Sequence, residues 1–301
     1  MKRRDFFRAA GIGVASLGII GRKSGAATVI RVPDDFGSIQ GAVDAASPGD
    51  MIQVAPGTYF ENVLITKSDL RITAPVAAGA DRTVLQGSGS GEAFFINGTA
   101  SPVRGIEIMG FVAENYASGI RTINAELCKF HSNEVRQTSG IAIRIANSQF
   151  NDISQNFVHD CIEGIILGTS SGNTVRGNRC QDLGQNPNNP GACGVFTNSV
   201  ATSLTGANDN VIVENEILRS YWGVLITGAK PGTGNRVAQN RCHECLRAGV
   251  AVLEPHHDNF ILQNNCTANG LANLAPSGTF DLFDALAVNN IWGRNQGTSN
   301  F

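Results

Sequence analysis

Residues 235–264 read NRVAQNRCHECLRAGVAVLEPHHDNFILQN, and this stretch is one full period of a repeat. It opens and closes on the same hexapeptide pattern, Asn-x-aliphatic-x-x-Asn, as NRVAQN at Asn235–Asn240 and NFILQN at Asn259–Asn264. Between them GVAV, at Gly249, is a short alternating apolar segment behind a glycine. Toward the N-terminus the hexapeptide recurs as NVIVEN (Asn210–Asn215), NTVRGN (Asn173–Asn178) and NDISQN (Asn151–Asn156). CKFHSN (Cys128–Asn133) and GIEIMG (Gly105–Gly110) are degenerate copies, and NIWGRN (Asn290–Asn295) follows near the other end. Successive starts from Gly105 lie 23, 23, 22, 37, 25, 24 and 31 residues apart, a basic period with insertions. The glycine-led segment recurs as GIRT at Gly119, GIAI at Gly140, GIIL at Gly164, GVFT at Gly194 and GVLI at Gly223.

Such a period holds two or three short strands and no helix. One unit cannot bury its apolar side alone, whereas stacked copies bury a continuous column. The expected fold is all-β: a single-stranded right-handed parallel β-helix, with neighbouring coils about 4.8 Å apart. Stacking would set the second Asn of each hexapeptide above the last, as a ladder of Asn133, Asn156, Asn178, Asn215, Asn240 and Asn264. Asn tolerates a left-handed turn, and its amide can bond both backbone and the Asn above.

The same register bears on CHEC, Cys242–Cys245, which on its own looks like a metal site. Cys242 lies seven residues after its repeat start, where the other coils place Val112, Val135, Val158, Cys180, Ile217 and Cys266. Cys245 falls with Cys161. A column that accepts Val, Ile and Cys alike reads as core. A zinc or copper site and a disulfide are the competing readings; zinc lacks a second ligand pair at a suitable spacing. No metal ligand is assigned. Seven cysteines cannot all pair with one another.

The chain has 301 residues, 42% hydrophobic and only 16% charged, with 35 glycines, which suits short strands and tight turns. Residues 1–27 stand apart. Arg3 and Arg4 precede Phe6 and Phe7, then a weakly apolar run from Ala9 to Ile20 that is too short to span a membrane. Small residues at Ser24–Ala27 suit cleavage. This reads as a twin-arginine export signal, with an ordinary secretory signal or an uncleaved anchor as the alternatives. The expected organisation is therefore a signal at 1–27 and a β-helix at 28–301, exported to the periplasm or beyond, with no stable membrane span once the signal is removed. Without residues 1–27 the chain keeps 17 basic and 24 acidic side chains, net −7. That balance gives no electrostatic footprint for nucleic acid.

The stretch SIQGAVDAASPGDMIQVAPGTYFENV (Ser38–Val63) has a short helical segment at Ser38–Ala46, stopped by Pro48 and Gly49, then strands at Met51–Val54 and Asn62–Ile65. A short amphipathic helix is a fitting cap for the first coil. This opening resembles that of the pectin-lyase-like β-helix superfamily, which includes pectin methylesterases and NosD-type periplasmic proteins. The Asn and Gly repeats are similar to the carbohydrate-binding and sugar-hydrolase repeats of that superfamily. The resemblance covers nearly all of residues 28–301 and is specific for fold rather than reaction. It implies a polysaccharide partner.

Related proteins work on the outer face of the glycine-led strands. Two residues after each glycine, the outward positions would be Arg121, Ala142, Ile166, Phe196, Leu225 and Ala251. Four after, they would be Ile123, Arg144, Gly168, Asn198, Thr227 and Leu253. The apolar middle of this face would be covered by the inserted stretches Gly184–Ala192 and Ser199–Asp209, or left open as a groove floor or subunit contact, so an oligomer is not excluded. Arg121 and Arg144 are candidates for a sugar carboxylate. Tyr221 and Trp222 are candidates for stacking on a sugar ring. Ordinary turn residues are the plainer reading of all four. LEPHHD (Leu253–Asp258) resembles the Asp-Pro-His-acid motif of alginate epimerases, with Glu254, Pro255 and His256 matching and Glu replacing the Asp. That resemblance implies Glu254 and His256 as catalytic residues, although the motif sits in a turn rather than on the strand. Arg144 and His256 lie too many coils apart to serve one sugar.

No esterase aspartate pair and no aspartate run of a calcium-dependent pectate lyase is present, so calcium is open and no cofactor is certain. The function expected is an exported protein that binds, and in one version modifies, a uronate polymer by lyase or epimerase chemistry. The alternatives are a non-catalytic carbohydrate module and a NosD-like periplasmic accessory protein.

Overall fold

The computed structural model describes residues 27–76, 79–184, 193–198, 206–270, 280–285 and 289–299. Most of the proposed leader, and most of the inserted stretches expected to cover the outer face, lie outside the described residues. Among the described residues the architecture is a right-handed parallel β-helix. Three sheets of eleven, nine and nine strands run its length, and a two-stranded pair joins Val103–Arg104 to Ala125–Glu126. Sheet 1 runs from Val29–Val32 to Ile291–Gly293, sheet 2 from Gly57–Tyr59 to Asn265–Thr267, and sheet 3 from Val63–Ile65 to Leu282–Ala285. Each strand pairs in parallel with its equivalent one coil away, so the repeat of the sequence becomes the stacking step.

The hexapeptide places an aliphatic side chain inward once per coil. Ile72, Ile108, Phe130, Ile153 and Val175 pair in series along sheet 1 and are fully buried. Each such burial stabilises by roughly 1.5–3 kcal/mol. The cap is helix α1, Ile39–Ala45. Ser38 closes its start by accepting from the Gly41 N–H at 3.0 Å, and Glu61 accepts from Ile39 N and Gln40 N at 2.9 Å each. Ile39, Ala42 and Val43 are buried beneath it, and Lys67 Nζ donates to the carbonyls of Val43, Asp44 and Ala46 at its end.

The expected asparagine ladder is present, and a parallel one accompanies it. Asn156 Nδ2 donates to Asn178 Oδ1 at 3.0 Å, Asn178 to Asn215 at 3.0 Å, and Asn215 to Asn240 at 2.9 Å. Each Oδ1 also accepts the backbone N–H of the Asn below, as Asn178 Oδ1 does from Asn156 N at 2.9 Å. The first Asn of the hexapeptide does the same through Asn151, Asn173, Asn210, Asn235 and Asn259. A third, shorter ladder ends differently: Asn269 donates through both N and Nδ2 to Asp281 Oδ1, at 2.8 and 2.9 Å. The left-handed turn does not fall on the ladder asparagines. It falls one residue earlier, on Ser132, Gln155, Gly177, Glu214, Gln239 and Gln263, which leaves each Asn side chain pointing inward to bond.

The leading glycines of sheet 3 also have a different cause from a turn, since none of them has positive φ. A Cβ at Gly164 would lie 2.1 Å from the Gly194 carbonyl oxygen, and one at Gly223 would lie 2.1 Å from that of Gly249. Neighbouring coils approach too closely there for a side chain.

Two register expectations are corrected. Ala113, not Val112, pairs with Val135, because this repeat starts at Ile106 rather than Gly105, which sets Ile108 rather than Glu107 against Phe130 in the aliphatic place. In sheet 3, Arg144, not Ala142, pairs with both Arg121 and Ile166. The residue equivalent to the leading glycine in that coil is Ala142, and Gly140 lies two residues before it. Cys242 and Cys245 are core residues with no exposure, Cys242 pairing with Ile217 and Cys266.

Candidate functional site

The outer face of sheet 3 changes character along its length. From the N-terminal end, its middle column runs Phe95, Arg121, Arg144, Ile166, Phe196, Leu225 and Ala251, each residue paired with the next. The apolar half is buried together with Trp222, Tyr221 and Cys193 in a second cluster separate from the main core. The charged half meets the apolar half at Arg144. There, a cleft of about 360 Å³ is lined by Arg144, Asn147, Glu163, Ile166, Phe196 and Asn198, among others. Ala146 and Gly168 occupy the adjoining column, and their lack of bulk leaves the space open.

The two arginines, stacked one coil apart, have different partners. Arg121 donates to Glu92 at 2.7 Å and lies 5.0 Å from the centre of the Phe95 ring. Arg144 is exposed, and among the described residues it forms no hydrogen bond or ion pair. Glu163, on the adjacent strand, is likewise without a bonded partner. Burial raises its carboxyl above the ordinary value, and the nearby Arg144 charge opposes that rise.

The other sequence candidates lie elsewhere. Tyr221 and Trp222 are buried, and Arg247 lies over both rings, 5.7 and 5.6 Å from their centres. Arg247 Nε also donates to Tyr221 Oη at 3.0 Å. Glu254 is exposed in the turn after the strand Ala248–Leu253, while His256 is buried and its Nδ1 accepts from Gly232 N at 2.7 Å. Burial lowers the His256 pKa. That strand is four steps from the Arg144 strand, on the order of 19 Å at ordinary spacing. Arg121 and Arg144 are therefore brought together, Tyr221 and Trp222 lie under Arg247, and Glu254 and His256 form a separate locus. Glu163 is the residue the sequence reading missed.

A second charged group, on sheet 2, is closed on itself. Glu134 accepts from Arg82 at 2.7 Å, Arg136 at 3.0 Å and His159 at 3.3 Å. His159 Nδ1 also meets Asp160 at 2.6 Å. The His159 hydrogen bond leads the arginines in holding Glu134 down to about 2, and Glu134 in turn raises His159. These groups satisfy one another and act as a clasp across coils.

A long parallel β-helix with an outer-face cleft is the fold of the pectin-lyase-like superfamily that the sequence resembles. Residues 103–279, more than half of the chain, match the family described as periplasmic copper-binding protein (NosD), and the chain belongs to that family. Solved structures share the fold. An alginate lyase from Paenibacillus sp. str. FPU-7 is similar at 15% identity over 91% of this chain and 99% of its own, TM-score 0.52. XylC in complex with xylose matches at 10% identity over 88% and 70%, TM-score 0.61. A DFA-IIIase from Arthrobacter chlorophenolicus A6, in complex with DFA-III, matches at 16% over 83% and 68%, TM-score 0.59. No curated protein sequence matches the chain.

The family description raises copper, and the donor set can be tested against it. All five histidines and all seven cysteines fall within the described residues. Among the described residues no three His, Cys, Asp or Glu side chains are grouped to hold a metal. The thiols are all buried, and burial pushes Cys128 up to about 11 and Cys245 up to about 12, against the thiolate form that binds metal. His131 and His159 are engaged by Glu107 and Glu134. As folded, these residues do not fit a resident copper ion.

Proposed function

We propose that the protein is an exported β-helix protein that binds, and modifies, a uronate-containing polysaccharide along the outer face of sheet 3. The observation that carries this reading is the exposed Arg144 guanidinium, unpaired among the described residues within a cleft whose far wall is apolar. A planar fork suits a carboxylate, and an apolar wall suits the hydrophobic face of a sugar ring. Arg121, half engaged by Glu92, is the adjoining contact for a second unit. Tyr221 and Trp222 serve as stacking residues only if Arg247 moves aside. Glu254 and His256 belong to a separate turn and would act there, not in this cleft.

The test is proton NMR of alginate, polygalacturonate and a neutral glycan incubated with the protein, with and without calcium, alongside calorimetric binding. Binding of the acidic polymers, weakened at least tenfold by Arg144→Gln, is expected. Equal binding of neutral and acidic glycans, or none, overturns the reading. A second reading, a periplasmic accessory role in copper handling, is favoured by the family match. It requires copper to be bound by surface groups, and a copper titration of the native protein that leaves the metal free in competition with a weak chelator removes it.

A further inference from the structure

We propose that Glu163 is the proton acceptor of the sheet 3 cleft, removing the proton from the carbon beside a uronate carboxylate held by Arg144. This rests on the acidic-sugar reading of the same cleft and adds a chemical step to it.

Of the two glutamates on the strands of sheet 3, Glu92 and Glu163, only Glu163 is left without an ion pair. Glu92, Glu107, Glu114, Glu126 and Glu134 each form an ion pair with an arginine. Glu163 faces a free arginine yet forms no such pair, so its carboxylate is not spent on the fold. Ile141 pairs with Glu163 and Arg144 with Ile166, so the two charged side chains are staggered by three residues on neighbouring strands. Arg121 reaches Glu92 across the same stagger, so Arg144 and Glu163 stand within reach of one another and still form no pair. Both side chains line the one cleft, and its volume of about 360 Å³ lies within the usual range for ligand sites. Asn147 and Asn198 line the same cleft and supply hydrogen-bonding groups for hydroxyls.

Glu92, Arg121, Arg144 and Glu163 are neutral as a set when all are ionised, so a bound uronate carboxylate makes the site net negative by one. Proton transfer leaves that total unchanged: Glu163 loses a negative charge and the substrate gains it, beside Arg144. Partial burial already makes Glu163 more basic than an exposed carboxylate, which suits a general base. In the step itself, Glu163 takes the proton and the C–H electron pair passes into the carboxylate, whose developing charge Arg144 holds. From there, the C–O bond to the neighbouring sugar breaks as a C=C bond forms, with water protonating the leaving oxygen. Otherwise, water returns a proton on the opposite face and the epimer results. Glu163 then gives its proton to water.

The experiment combines calorimetry of alginate and polygalacturonate oligomers with two readouts of proton removal. These are deuterium incorporation beside the carboxylate in heavy water, by NMR, and ultraviolet absorbance of unsaturated product. Wild type should bind and show one of the two. Glu163→Gln should bind within about threefold of wild type, or more tightly because a negative charge is gone, and lose proton removal at least a hundredfold. Glu163→Asp should retain a measurable fraction, which a purely structural role would not predict. Arg144→Gln should lose binding. If wild type binds neither oligomer, the acidic-sugar reading has failed. If wild type binds without proton removal, or Glu163→Gln removes protons at the wild-type rate, this inference is overturned while the binding reading stands.

Discussion

Replacing Asn178 by alanine removes one rung from the middle of a ladder, and the cost can be worked from its bonds. Asn178 Oδ1 accepts from Asn156 N at 2.9 Å and from Asn156 Nδ2 at 3.0 Å. Its Nδ2 donates to Ile153 O at 2.8 Å and to Asn215 Oδ1 at 3.0 Å. Alanine keeps the backbone bond from residue 178 to Asn215 Oδ1, at 2.9 Å, and loses these four side-chain bonds with a longer fifth, from Nδ2 to Arg176 O at 3.3 Å. Asn156 N–H then loses its acceptor at a site only 1% exposed. Its Nδ2 retains one bond, to Phe130 O, while its Oδ1 still accepts from Asn133. A buried orphan donor costs about 1–3 kcal/mol, and the other weakened groups somewhat less, so the total is about 3–4 kcal/mol. Chemical denaturation should show a large fall in midpoint, with Gln149→Ala, at an exposed position outside the left-handed region, as a control within about 0.5 kcal/mol of wild type. Asn178→Asp should also destabilise, because a carboxylate cannot donate to Ile153 O or Asn215 Oδ1. Asp281 is tolerated at the end of its ladder because there it only accepts, from Asn269 on one side and Thr298 on the other. A cost below about 1 kcal/mol for Asn178→Ala would refute the view that the ladder is a satisfied buried network.

Four shorter predictions follow from other parts of the coil. The Glu134–His159 clasp should be strongest between the two titrations: its His159 contribution is complete below the ordinary value of 6.5 and is lost as pH rises through the raised folded value, and its Glu134 contribution is present above 4.5 and lost as pH falls toward about 2. His159→Gln should remove the alkaline loss, read from denaturation midpoints across pH, and an unchanged profile would count against the clasp. Cys242→Val should change stability by less than about 1.5 kcal/mol because aliphatic side chains already share its column, whereas Cys242→Ser buries a hydroxyl and should cost about 1–3 kcal/mol; the reverse order would contradict its core role. Gly223→Ala should destabilise by more than about 2 kcal/mol, since the added Cβ meets the Gly249 carbonyl at 2.1 Å, and a neutral result by calorimetry would mean the coils are not that close. Lys in place of both Arg3 and Arg4 should stop export and leave precursor in the cytoplasm; normal periplasmic yield by fractionation would sink the twin-arginine reading.

Much of the fold was legible because stacking converts sequence period into spatial register. The two asparagines of NTVRGN fall on ladders, its valine falls in the core, and both follow from spacing alone. Register failed where a marker residue was itself displaced. Gly140 looks like the leading glycine of its coil, yet Ala142 holds that place. Counting from Gly140 therefore put Arg121 and Arg144 in different columns, when the structure stacks them as direct neighbours. A two-residue slip leaves every side chain on its proper face, so alternation raised no alarm.

The site was less legible for a different reason. Glu163 sits in a column that runs Glu92, Ser118, Ile141, Glu163, Cys193, Trp222 and Ala248, so glutamate recurs only after two unlike residues and no regular residue type marks the position. What distinguishes it is that an arginine stands near and no ion pair has formed, while Glu92 one end of the face away has its arginine at 2.7 Å. Pairing is a property of side-chain reach across coils, which one-dimensional spacing does not contain. The reverse holds for CHEC, whose compact pattern suggested chemistry that burial removes. In this fold the informative sequence signals are those that repeat, and they report structure. Function should therefore be sought at positions where the column breaks type and a charge is left unmatched, as it is at Arg144 and Glu163.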